Sequence, residues 1–225
     1  MTRTSGRWIL QTPCCGARYC SPAYASINFS AHEYWSDGRR VKSLAPQDEG
    51  LRRCGCGAFF LLRQCGSVGE LPLAQRDTRP AAERALDPPD IRPVGADDLA
   101  GLLAANPPDR GVMIAGRRLH WRDLNDPFRE VYRTHRMEHA TSLPPYRPTD
   151  GQRANMTALL ALLDGAPDVD FGEVAELHRE LGDFERAAEA VEKAVPNYWG
   201  ETIAPLLGRL IARRVNAPVR YRPWW

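Results

Sequence analysis

Two stretches near the start of the chain decide its reading: Cys14-Cys15-Gly16-Ala17-Arg18-Tyr19 and Cys54-Gly55-Cys56-Gly57-Ala58-Phe59-Phe60. Each has a cysteine pair, then Gly-Ala, then an aromatic at the edge of a strand pattern. Two such turns facing each other can hold one tetrahedral zinc ion through four thiolates, Cys14, Cys15, Cys54 and Cys56. All six cysteines lie between residues 14 and 65, and the following 160 residues have none. A secreted disulfide scaffold would not confine its bridges to one end of a chain this long. Clustered cysteines in a reducing compartment read as metal ligands. The competing readings are buried free thiols, or a redox switch at Cys14-Cys15 or at Cys54 and Cys56.

Outward from these turns, Arg7–Gln11 leads into the first and Ala58–Leu62 leaves the second. Tyr24–Ser30 alternates polar and apolar residues, the period of a half-buried strand. Asp37-Gly38, between Tyr34-Trp35 and Arg39-Arg40-Val41, suits a tight hairpin because both residues tolerate positive φ. Residues 1–66 therefore read as a small antiparallel β module. It is too small to build a sufficient core alone, so a bound metal would supply much of its folding free energy. Residues 67–95 hold five prolines and no sustained periodicity, which reads as a linker with a short helix near Ala81–Leu86.

Residues 96–225 read as helical. Asp97 or Asp98 caps a helix through Leu99, Leu102 and Leu103 that ends at Asn106-Pro107-Pro108. Gly116–His139 is dense in charge and turns at Asn125-Asp126-Pro127. Met156, Leu159, Leu160 and Leu163 recur at helical spacing, and Asp170 with Glu173 forms an acidic capping box. That helix stops at Gly182, Asp183 caps the next, and a last helix covers Ile203–Arg214. The expected class is α+β, a β module followed by a helical array.

Net charge is +2, unevenly spread. Residues 1–66 have nine Arg/Lys against four Asp/Glu, and residues 209–225 have five Arg and no acid. The middle must then be acidic. Attraction of basic head and acidic middle within the fold is the simpler expectation; a basic face for an anionic partner is the other. No apolar run approaches the roughly 20 residues that span a bilayer, and the start lacks a signal-peptide core, so no membrane partner and a cytoplasmic location are expected.

Two family resemblances follow from these residues. Residues 170–195, with Ala175, Gly182-Asp183-Phe184, Ala187, Ala188 and Ala194, look like one tetratricopeptide repeat. That resemblance implies a surface for holding other proteins, with flanking helices completing the stack. The cysteine turns resemble those of zinc ribbons but depart from Cys-x-x-Cys-Gly, with adjacent cysteines and Thr12 in the first turn and Cys-x-Cys in the second. Cys15 and Cys56 match best, each preceding Gly-Ala; Cys54 is next, and the fourth ligand is Cys14 or Cys20. The overall arrangement resembles uncharacterised bacterial proteins that join a zinc ribbon to tetratricopeptide-like helices.

These readings point to a non-enzymatic adaptor, with a zinc-stapled head and helices that dock a protein partner. A second hypothesis is nucleic-acid binding through the basic ribbon, where aromatics interleave with Arg39, Arg40 and Lys42. A third is a metal-dependent hydrolase using His135, Glu138 and His139, which fit His-x-x-Glu-His. A solvated charged face is the better explanation of that short motif. The terminal Trp224-Trp225 pair is expected to dock on the chain's own helices.

Overall fold

A computed structural model of the protein describes residues 3–26, 30–42, 47–72, 79–137, 145–194 and 200–221, with the side chains of 135–137 and 200–202 outside that description. The architecture is α+β: short antiparallel strands in small sheets, then, among the described residues, seven helices over 96–212. The chain divides into two compact units, 1–31 with 43–116 and 32–42 with 117–225.

In the first unit, β1 (Arg3–Gln11) is the central strand of a three-stranded sheet. It pairs antiparallel with β2 (Arg18–Ser26) from Arg3↔Ser26 to Gln11↔Arg18. Its other edge pairs with β7 (Gly66–Pro72), from Gly6↔Pro72 to Gln11↔Gly66. Residues 67–95 show no sustained periodicity, and over 67–72 the structure shows why. Most β7 side chains are exposed, so no apolar alternation marks the strand, and backbone pairing to β1 holds it. A Cβ at Gly6 would sit 2.4 Å from the Leu71 carbonyl oxygen, so this approach of the two strands requires glycine.

Strands β5 (Leu51–Arg53) and β6 (Phe59–Leu61) form a separate hairpin, in register Leu51↔Leu61 to Arg53↔Phe59. Leu51, Phe60 and Leu61 are buried. Cys54, Phe60 and Ile91 form a core cluster, with Ala17, Tyr19, Leu62 and Cys65 packed against it. The segment around Ile91 is tied to β2 through Cys20, whose N–H donates to Pro89 O and whose carbonyl accepts from Ile91 N, both at 2.9 Å. The helix Ala96–Ala105 buries Leu99 and Leu102 and ends at Asn106, which takes the left-handed conformation. Its N-cap is Gly95 and not an aspartate; Asp98 sits one turn in and accepts the Gly95 N–H.

In the second unit, β3 (Glu33–Trp35) and β4 (Arg40–Val41) form the expected hairpin, with Gly38 at φ +79° in its turn. The other edge of β3 pairs with β8 (Arg220–Tyr221), so the hairpin finds its sheet partner near the far end of the chain. Helices Asp126–Met137, Asp150–Leu163, Phe171–Leu181, Phe184–Lys193 and Gly200–Ala212 fall in this unit, and Arg110–Leu124 crosses the boundary between the two.

Local signals set these helices, except that Asp170 caps without the reciprocal half of the expected box, because the Glu173 carboxylate accepts instead from Arg118 at 2.5 and 2.6 Å. Asp170 accepts from the N–H groups of Gly172 and Glu173, and Asp183 from that of Arg186. Gly182 at φ +85° ends the first helix, where a side chain at Cβ would be strained. Ala175, Ala190 and Leu207, one from each of the last three helices, form a buried cluster with Val174, Val191, Ile203 and Ile211. Small side chains at 175 and 190 leave the space that Leu207 fills.

The charge-dense segment turns inward. Arg129, with no exposed surface, is ion-paired with buried Asp37, donates to the Arg122 carbonyl and lies 5.6 Å from the Trp35 ring. Glu180, also fully buried, accepts from Trp121 Nε1 at 2.9 Å and Asn125 Nδ2 at 3.0 Å. Arg179 makes a two-pronged pair with Glu176 at 2.7 and 2.6 Å. Burial, with the Glu176 and Asp37 carboxylates nearby, holds the Glu180 carboxyl well above the usual range, with Arg179 and the Trp121 N–H opposing.

Candidate metal centre

Both cysteine turns are hairpin tips. In the first, Thr12 N donates to Ala17 O at 2.9 Å and Gly16 takes φ +73°. In the second, Cys54 N donates to Ala58 O at 2.8 Å and Gly57 takes φ +93°. The shared Cys-Gly-Ala pattern has one physical cause: each tip closes by a backbone hydrogen bond into the strand and needs a left-handed residue just after the cysteine.

The tips meet. Cys15 Sγ lies 3.4 Å from Cys54 Sγ, Cys14 Sγ lies 3.6 Å from Cys56 Sγ, and the adjacent Cys14 and Cys15 sulfurs are 4.0 Å apart. The four sulfurs fall within 4.8 Å of one another. A tetrahedral zinc with Zn–S of about 2.3 Å has sulfurs about 3.8 Å apart, so the donor set has the size and chemistry that ion needs. Among the described residues this is the one group of three or more potential ligands close enough to share an ion.

The surroundings favour thiolate at Cys54 and oppose it at Cys14. Thr12 Oγ1 is 3.7 Å from Cys15 Sγ and 3.9 Å from Cys54 Sγ, and the Tyr19 hydroxyl is 3.8 Å from Cys54 Sγ while accepting the Gly55 N–H at 2.8 Å. Burial pushes the Cys54 thiol up, but the Cys56 N–H and the other three thiols outweigh it and bring Cys54 down to about 6. Cys14 is pushed up to about 12 by desolvation and by hydrogen bonds with Cys54, Cys56 and Cys15, with Thr12 pulling the other way. Thiolates brought this close repel one another, and a divalent cation offsets that repulsion.

Of the sequence candidates, the structure brings together Cys14, Cys15, Cys54 and Cys56. Cys20 is buried in the sheet and Cys65 packs on the Phe60 cluster; neither belongs to the group. Cys65 is held above the usual thiol range by burial. In the sequence Tyr19 is only the aromatic that closes the first turn, yet its hydroxyl bridges to the second. His135 is in the last turn of the Asp126–Met137 helix, and its side chain, with Glu138 and His139, lies outside the described residues. Trp224 and Trp225 lie outside them too. No helix among the described residues is long and apolar enough to cross a membrane.

No protein-family model, curated protein or solved structure matches the chain.

Proposed function

We propose that the protein is a zinc-stapled interaction adaptor. Cys14, Cys15, Cys54 and Cys56 hold one structural Zn2+, and the helical region presents a docking surface to a protein partner. The observation that carries this reading is the convergence of four sulfurs, drawn from two hairpin tips about forty positions apart, into a sphere the size of one tetrahedral ion. Four thiolates complete the zinc shell and leave no position for a reacting water, so the ion's role is to hold the tips together. Tetrahedral sulfur sites also suit iron, and elemental analysis separates the two metals.

The protein-partner reading has support in how the charges are used. Arginines of the basic head are already engaged by aspartates: Arg7 with Asp90, Arg52 with Asp48, Arg53 with Asp98, and Arg39 with Asp123 and Asp126. Cations neutralised inside their own unit have little left to offer a phosphate backbone.

The test is metal content in the purified protein and in single Cys→Ser variants. One zinc per chain is expected, lost with Cys15→Ser, Cys54→Ser or Cys56→Ser and kept with Cys20→Ser or Cys65→Ser. A full complement of metal in all five variants contradicts the assignment. Affinity capture from the native cell addresses the partner. A protein retained through the helical region supports the adaptor, and nucleic acid retained with a steep salt dependence replaces it.

A further inference from the structure

We infer that the same four thiols are a site of reversible oxidation, in which a peroxide converts Cys15 with Cys54, and Cys14 with Cys56, into two disulfides that take over the staple from the ion. The inference rests on the metal-site reading above and deepens it.

The pairing follows from the geometry of the tips. Two short sulfur separations, 3.4 and 3.6 Å, run between the tips and together use all four thiols. Each needs only about 1.5 Å of closure to reach the S–S length of about 2.05 Å. The adjacent Cys14 and Cys15 start farther apart at 4.0 Å, and a bond between neighbours would force the planar trans peptide between them into strain. Cys14 with Cys15, a within-turn pairing the sequence also allows, is therefore the less favourable product.

Access follows from burial. Cys14, Cys15 and Cys56 are exposed, so each pair presents at least one sulfur to a small oxidant. Cys54 is buried among Phe60 and Ile91 but also lines an open cavity of about 420 Å3 with Tyr19, Arg53, Gly57, Arg92 and Asp98. In the 15–54 pair, Cys15 is thus placed to meet the peroxide and Cys54 to resolve it.

The chemistry balances with a peroxide as oxidant. An exposed thiolate attacks a peroxide oxygen, the O–O bond breaks, and a sulfenic acid forms with loss of hydroxide. The facing thiolate attacks the sulfenic sulfur, the S–O bond breaks, and a second hydroxide leaves as the S–S bond forms. Two protons from solvent convert the hydroxides to water. Each disulfide consumes one hydrogen peroxide. Two disulfides use all four thiolates, so the ion has no ligands left and departs.

The experiment treats the full chain, as purified, with hydrogen peroxide. Zinc release is followed with a chromogenic chelator, and linked peptides are mapped without reduction. Expected are one zinc released per two disulfides, peptides joined 15–54 and 14–56, Cys20 and Cys65 still open to alkylation, and recovery of zinc binding after a thiol reductant. A dominant 14–15 or 54–56 linkage overturns the inference, as do sulfinic acids in place of disulfides. Four thiols left intact at excess peroxide overturn it too. The zinc content of an untreated aliquot separates the two claims. Its absence defeats the metal reading, whereas zinc present with the wrong linkage map defeats only the oxidation.

Discussion

The two units solve the same electrostatic problem in opposite ways. In the first, four sulfurs converge at two hairpin tips, and the nearby hydroxyls and N–H groups supply no full positive charge. In the second, the acids Asp37, Glu176 and Glu33 are buried, and the chain supplies the cations itself as Arg129, Arg179 and Arg133. One solution imports its counter-charge and the other encodes it. The lesson is that the first unit's stability should follow metal availability and the second's should follow pH and arginine chemistry.

The widest separation comes from removing metal. A strong chelator with a reductant should abolish protection of the β5–β6 amides from hydrogen exchange, because structural zinc in small domains contributes on the order of 10 kcal/mol. Amides of Phe171–Lys193 should keep theirs. Loss of protection in both at once would erase the distinction.

Breaking the encoded pair comes next. Arg129→Met leaves Asp37 charged and unpaired in the interior, which should cost about 3–5 kcal/mol in denaturant unfolding and leave zinc content unchanged. The double variant Asp37→Leu with Arg129→Met should recover much of that loss. Failure to recover would mean that the arginine acts through packing on Trp35 and not through charge.

A smaller effect carries a pH signature. Burial raises the Glu33 carboxyl, but the Arg133 hydrogen bond and charge, the Trp35 N–H and Arg220 outweigh it and hold it below its ordinary 4.5. A lowered carboxyl contributes stability that is present above the unfolded value and lost as pH falls through the folded one. Glu33→Gln should therefore destabilise by about 1.5–3 kcal/mol at pH 7, with the difference from wild type shrinking as pH drops below about 4.5. A constant difference from pH 7 to 3 would remove the ion pair from the account. Smallest of all, Asp170→Ala should cost about 1 kcal/mol through the lost helix cap, with no effect on metal.

The same contrast explains what was legible in the sequence. The cysteine turns could be read because a hairpin tip that ligates metal needs local residue types at fixed spacing. Gly182, Asp183 and Asp170 were readable for the same reason, since caps and stops are decided within a few residues. Strand β7 was not, because its pairing is backbone to backbone and most of its side chains are exposed. Nor was the β3–β8 pairing, which joins residues nearly two hundred positions apart through two-residue contacts. The inward turn of Arg129 and Asn125 was hidden because a buried arginine looks like a surface one until its acid, here Asp37, is placed beside it.

The most direct measurement is zinc-edge X-ray absorption on the purified protein with metal stoichiometry taken from the same sample. The account predicts one zinc per chain with four sulfur neighbours at about 2.3 Å and no nitrogen or oxygen in the first shell. A metal-free protein with protected β5–β6 amides, or an ion with fewer than four sulfur ligands, would contradict it.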